Sequence, residues 1–243
     1  MNTTAPLSPA IRTEGLTKTF GSRLTLRGID LEVYQGESVV IFGPNGAGKT
    51  TLLKVLATIM NPSSGKVFVA GLDSKASPEK ARRCIGIVTH HTFLYGNLTA
   101  YENLDFYSRL YDVPDRQERI RMLVDMVGMT DRLHHRVATF SRGMQQRISI
   151  ARSLIHRPSI MLLDEAETGL DRQATSMLWE SMITEGEQKR TVILTTHDLE
   201  RGLEVSERVI ILDKGKIVSD GPKQGLDLRK LEKVYQDSTG TSS

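Results

Sequence analysis

Apolar residues along this chain come in short runs, and the spacing within each run separates strands from helices. Val39-Val40-Ile41-Phe42 and Ile160-Met161-Leu162-Leu163 are unbroken apolar blocks, the pattern of strands covered on both faces. Ile85-Gly86-Ile87-Val88 and Val192-Ile193-Leu194 read the same way. Ile29, Leu31 and Val33 alternate instead, as in a strand with one buried face, and Leu24-Thr25-Leu26 precedes them. Lys66 to Gly71 predicts a further strand. Leu52, Val55, Leu56 and Ile59 recur at helical spacing, and their helix stops at the breaker cluster Asn61-Pro62-Ser63-Ser64-Gly65.

From about 92 to 157 the pattern turns helical. Thr99-x-x-Glu102 is a capping box ahead of a helix with Leu104, Tyr107, Leu110 and Tyr111 on one side. Gln117 to Val127 predicts a second helix. A third starts at Ser141, aligns Met144, Ile148, Ala151 and Ile155, and ends before Pro158. The β pattern then resumes, and Asp213-Lys214-Gly215 predicts a hairpin between Val209–Leu212 and Lys216–Val218. Buried strands alternating with helices imply an α/β fold with a parallel central sheet. The expected division is a flexible tail over 1–10, a domain over 11–222 with a helical subdomain at about 92–157, and a short C-terminal helix and tail over 223–243.

Composition narrows the setting. The 243 residues suffice for one large α/β domain, and 32 basic against 29 acidic side chains are mixed without a basic stripe. Nucleic acid is therefore not the expected partner. Cys84 stands alone, which excludes an internal disulfide, fits a reducing compartment and reads as a small buried apolar side chain. No apolar run approaches the roughly 18 residues of a bilayer span. Met1 to Pro9 lacks the basic start and apolar core of a signal peptide. The expectation is a soluble, cytoplasmic chain that reaches a membrane only through a partner.

Gly43-Pro44-Asn45-Gly46-Ala47-Gly48-Lys49-Thr50 fits G-x-x-x-x-G-K-[ST] between a buried strand and a helix. The glycines let backbone N–H groups converge on an anion, and the helix N-terminus adds positive potential. Lys49 would reach the β- and γ-phosphates, the Thr50 hydroxyl would bind Mg²⁺, and Thr51 completes the candidate ATP-binding set. The strand Ile160 to Leu163 ends in Asp164-Glu165. Asp164 suits Mg²⁺ through water, and Glu165 could polarise an attacking water.

With these motifs, Phe140-Ser141-Arg142-Gly143-Met144-Gln145-Gln146-Arg147 resembles the serine-glycine signature of ATP-binding cassette (ABC) ATPases, the hydrolysing subunits of ABC transporters. The resemblance covers roughly 11–222. It implies a P-loop NTPase with a RecA-like parallel-sheet core, an N-terminal antiparallel β part and an inserted α-helical subdomain. It also implies that Phe20 stacks on adenine, that Asp171 in Gly169-Leu170-Asp171 couples two sites, and that His197 in Thr196-His197-Asp198 contacts the γ-phosphate. Two chains, either two copies of this one or this one with a paralogous ATPase chain, would sandwich ATP, with Ser141, Arg142, Gly143 and Met144 of one facing the phosphate loop of the other. Separate transmembrane permease subunits would hold the dimer at the inner face of the membrane, and Phe93-Leu94-Tyr95 is a candidate for part of their docking groove.

Five positions depart from the family pattern. His90, beside His91, stands where glutamine usually helps bind Mg²⁺, and imidazole is a poor direct ligand for that hard ion, so a water bridge is expected. Arg142 and Met144 replace the usual glycine and glutamine or glutamate of the signature. Ala166 and Glu167 replace proline and threonine after the acidic pair.

Gly86 to Tyr95, Leu98 to Leu104 and Leu231-Glu232-Lys233-Val234-Tyr235 resemble the haem-exporter ATPase of cytochrome c maturation. The alternative is export of a drug, polysaccharide or lipid. A soluble non-transport ABC ATPase would usually carry two cassettes or a coiled-coil insertion, neither of which is seen. A GTPase is disfavoured because N-K-x-D is missing.

Overall fold

Two large sheets and one small two-stranded ribbon (β8 with β9) hold the strands of the computed structural model, which describes residues 8–166, 179, 182–185 and 188–240. The chain opens with β1 (Pro9–Phe20), β2 (Arg23–Tyr34) and β3 (Ser38–Phe42), then helix α1 (Lys49–Leu56). Strands β4 (Ser64–Val69) and β5 (Leu72–Asp73), helix α2 (Pro78–Arg83) and strand β6 (Ile85–Val88) follow. Three helices come next: α3 (Ala100–Leu110), α4 (Arg116–Met126) and α5 (Arg142–Leu154). After β7 (Ile160–Asp164) come the two-residue strands β8 (Thr184–Glu185) and β9 (Gln188–Lys189), then β10 (Thr191–Thr195) and α6 (Leu199–Val205). Strands β11 (Arg208–Asp213) and β12 (Lys216–Pro222) and helix α7 (Leu228–Thr239) complete the order.

The larger sheet runs β12-β11-β3-β10-β7-β6, parallel throughout except for the edge strand β12. The smaller sheet, β2-β1-β4-β5, is antiparallel. Every residue of β3, β7 and β10 is buried, as their unbroken apolar blocks require. Successive side chains then enter opposite layers. Val40, Phe42, Met161, Leu163, Val192 and Leu194 face the core shared with α3, α4 and α5. Val39, Ile41, Ile160, Leu162 and Ile193 face the core shared with α1 and the antiparallel sheet.

The register sets the location of the chemistry. Thr195 lies beside both Ile41 and Asp164, so β3, β10 and β7 end at one edge. The loops that leave this edge carry Gly43–Gly48, Glu165 and His197, an arrangement that open parallel sheets favour for ligand sites.

The capping box at α3 forms: Thr99 N–H donates to Glu102 Oε2 at 2.7 Å, and Glu102 N–H donates to Thr99 Oγ1 at 3.1 Å. The Thr99 N–H and the Thr99 hydroxyl both donate to Glu102 Oε2 and hold the Glu102 carboxyl below its usual range. The hairpin at 213–215 also forms, with Lys214 and Gly215 at φ 45° and 80°.

Four details differ from the sequence reading. Strand β1 begins at Pro9 and buries Ala10, so the pairing reaches into the expected 1–10 tail. Helices α2 and α6 are additional elements. Leu110, expected on the packed side of its helix, is 58% exposed. Cys84 is half-buried rather than fully enclosed, and that burial raises its thiol pKa. Among the described residues no helix is long and apolar enough to cross a membrane.

Candidate nucleotide site

Backbone makes the centre of the site. A Cβ at Gly43 would overlap the carbonyl oxygen of Leu212, so only glycine lets the loop pass this close to β11. Gly48 caps α1 at φ 111°, with Thr25 O and Leu26 packed against it. The far side of the loop is tied by Gly215 N–H donating to Ala47 O at 2.9 Å. Lys49, the first residue of α1, is buried, and its ammonium donates to Gly43 O at 2.6 Å and Pro44 O at 3.2 Å. Burial pulls its pKa down, and the facing carboxylates Glu165 and Asp164 oppose that pull.

Above the loop lies a cleft of about 420 Å³, lined by Phe20, Arg23, Thr25, Asn45, residues 46–51 and Glu165. Phe20 presents a ring that is 45% exposed, with the Lys18 ammonium 5.2 Å from its centroid. Arg23 and Thr25 were not read from the sequence. Their signal lay in strand pairing, because Phe20 pairs with Arg23 across the hairpin and brings its side chain to the same cleft.

At the tip of β7, Asp164 is buried and accepts from two hydroxyls, Thr195 Oγ1 at 2.8 Å and Thr50 Oγ1 at 3.1 Å. One carboxylate thus ties α1, β7 and β10 together. Thr195 was missed because only the register reveals it. A hydroxyl and a carboxylate in contact form a hard oxygen donor set, which fits Mg²⁺. Glu165 has left-handed backbone at φ 50°, and its N–H donates to Thr195 O at 3.1 Å. Its Oε1 sits 2.6 Å from His197 Nε2. Both side chains remain open to solvent, so the pair can meet a substrate water.

Other sequence candidates lie elsewhere. Ser141 caps α5, its hydroxyl accepting Met144 N–H at 3.3 Å. With Gly143, Met144, Arg132 and Arg147 it lines a separate cavity of about 440 Å³, and Arg142 is exposed beside it. None of these residues lines the nucleotide cleft of its own chain. His90, expected to meet the metal through water, does not line the cleft, and neither does Asp164. His90 is exposed, its ring 4.8 Å from that of His91, in a turn where Thr89 Oγ1 both donates to His91 O and accepts His91 N–H. Asp171, with Gly169 and Leu170, lies outside the described residues, as does Glu167.

Phe93 joins a third concavity, a groove of about 290 Å³ between the end of α1 and α3. Ile59, Tyr107, Tyr111 and Arg152 also line it. The Tyr107 hydroxyl donates to Phe93 O at 2.6 Å. Asn103, wholly buried, accepts Tyr95 N–H and donates to the Tyr95 and Thr99 carbonyls, fixing the 93–95 segment on α3.

Comparison with known proteins agrees with this geometry. The family model described as ABC transporter matches residues 26–168. The daunorubicin resistance ATP-binding protein DrrA2 of Streptomyces coeruleorubidus is 35% identical, over 89% of this chain and 68% of its own length. Nod factor export ATP-binding protein I of Rhizobium johnstonii is 33% identical, over 90% and 72%. Among solved structures, an ATP-binding cassette in a dimeric post-hydrolysis state with ADP and Pi superposes with a TM-score of 0.80 at 27% identity, over 89% of this chain and all of the other.

Proposed function

This chain belongs to the ABC transporter family as an ATP-hydrolysing subunit, and from that premise we propose that it drives export through a separate membrane permease. The observation that carries the chemistry is the Glu165–His197 contact at 2.6 Å beside the loop that holds Lys49 and Thr50. Lys49 exchanges its two loop carbonyls for the β- and γ-phosphates. Glu165 accepts a proton from the water that attacks the γ-phosphorus, and His197 holds the carboxylate and the departing phosphoryl group in place. The products are ADP and inorganic phosphate. Thr50 and, through water, Asp164 would hold Mg²⁺, which supplies charge neutralisation at the phosphates. Phe20 stacks on the base and Arg23 lies beside the loop to meet phosphate or ribose.

The signature surface around Ser141 is separated from its own cleft, which favours a second chain as its target. The dimeric likeness supports an ATP-bridged pair. The groove around Phe93 suits a segment of the permease, which would place the chain on the inner face of the membrane. For cargo, the drug-resistance and Nod factor relatives favour a drug-like or lipid-like molecule. They lend no support to haem export.

Glu165→Gln tests the central step. The variant is expected to bind ATP, to lose hydrolysis by roughly two orders of magnitude, and to accumulate as an ATP-dependent dimer. Near-native turnover would remove Glu165 from the base role.

A further inference from the structure

Arg152, on α5, forms the floor of the groove around Phe93 and is only 8% exposed. Its guanidinium lies between two rings, 5.3 Å from the centroid of Phe93 and 5.4 Å from that of Tyr107. One Nη donates to the carbonyl of Ile87, while Nε is buried without a hydrogen-bond partner. Among the described residues no acidic side chain lines the groove. The nearby Asp112 is engaged by Arg83 at 2.7 Å, and Arg82 at the rim adds a second cation. Burial lowers the pKa of Arg152, with only the two tyrosines Tyr107 and Tyr111 acting against it.

A buried cation normally has a carboxylate, and aromatic faces compensate only in part. Here the guanidinium has already lost most of its water in the folded chain and has no carboxylate among the described residues lining the groove. An arriving carboxylate would therefore gain a charge-assisted bond while only its own hydration is lost. The aromatic walls and Ile59 exclude a fully hydrated anion and favour a carboxylate carried among apolar side chains.

We propose that Arg152 is the receptor for a carboxylate of the permease, an Asp or Glu flanked by apolar residues on the cytoplasmic segment that enters this groove. The proposal rests on the docking reading given above. It makes the contact specific: shape and apolar area bring the segment in, and the buried ion pair fixes its register.

The test uses the full chain assembled with its permease in detergent, and reads the affinity of the assembly together with the basal ATPase of the free chain. Arg152→Gln should weaken assembly by about tenfold or more while the free chain hydrolyses ATP normally. Replacing each cytoplasmic Asp and Glu of the permease in turn by Gln or Asn should reveal one position with the same loss. Combined with Arg152→Gln, that replacement should add little further loss. Additive losses, or no permease carboxylate that matters, overturn the proposal. The permease scan alone decides the matter if Arg152→Gln fails to fold. Phe93→Ala and Tyr111→Ala separate the two readings. If they weaken assembly while the carboxylate scan is flat, only the Arg152 pairing fails; if they leave assembly intact, docking in the groove fails and the pairing with it.

Discussion

The nucleotide cleft and the groove around Phe93 are both concavities of a few hundred Å³, but they are built from different material. The cleft is made of main chain. Its glycines permit the approach to Leu212 and Thr25, and its loop carbonyls accept from Lys49. The groove is made of side chains from α3, α5, β6 and the turn after α1. A main-chain site depends on a contiguous string and tolerates almost no added volume. A side-chain site can give a little at each wall, and so it can be altered by degrees.

Gly43→Ala should break the cleft outright, because the added methyl meets the Leu212 carbonyl rather than a mobile side-chain end. ATP binding should be lost, by nucleotide titration, with a large fall in melting temperature. Retained binding would show that the loop can yield, and would erase the contrast.

Acid should loosen the groove next. His156 stacks on Tyr111 with ring centroids 3.9 Å apart, and its Nε2 pairs with Ile85 O at 3.0 Å. Burial, reinforced by Arg152, Arg119 and Arg83, lowers its pKa from 6.5 to about 4. The unfolded chain therefore binds the proton more readily than the folded one. This residue's contribution is full above pH 6.5 and falls as the pH drops towards 4, by up to roughly 3 kcal/mol. Melting curves between pH 7 and 4.5 should show a steeper loss in the native chain than in His156→Asn. Parallel curves would remove His156 from the acid sensitivity.

The smallest expected effect is Tyr107→Phe, which removes one hydrogen bond to Phe93 O and leaves the ring in place. It should cost about 1 kcal/mol in denaturant unfolding. A much larger loss would mean that the groove is as exacting as the cleft.

The same division governs what could be read from sequence. The phosphate loop and the Asp164-Glu165 pair are short strings whose neighbours announce strand, turn and helix. The parallel core followed from β3, β7 and β10 being apolar without interruption. Thr195 and Arg23 carry no such announcement, because each reaches the site only through pairing with a distant or folded-back strand. Helix α2 buries only Ala81, which leaves no period to detect. His90 is a different case: its place in a motif suggested a water-mediated contact with the metal, whereas the turn that Thr89 organises, with the ring exposed, shows only in the fold.

The backing of the phosphate loop has a consequence for how the chain comes into being. Leu212 presses on Gly43, and the hairpin tip at Gly215 bridges Ala47 O and Arg27 N–H, so the loop is completed by residues made long after it. On the ribosome, a nascent chain that stops at Asp164 already carries Lys49, Thr50 and the buried acid, but nothing yet holds the loop from behind. Nucleotide can stabilise only what it binds. It should therefore protect chains that have emerged past β12 and leave shorter ones open to proteolysis, so that ATP distinguishes finished subunits from fragments before either reaches a membrane.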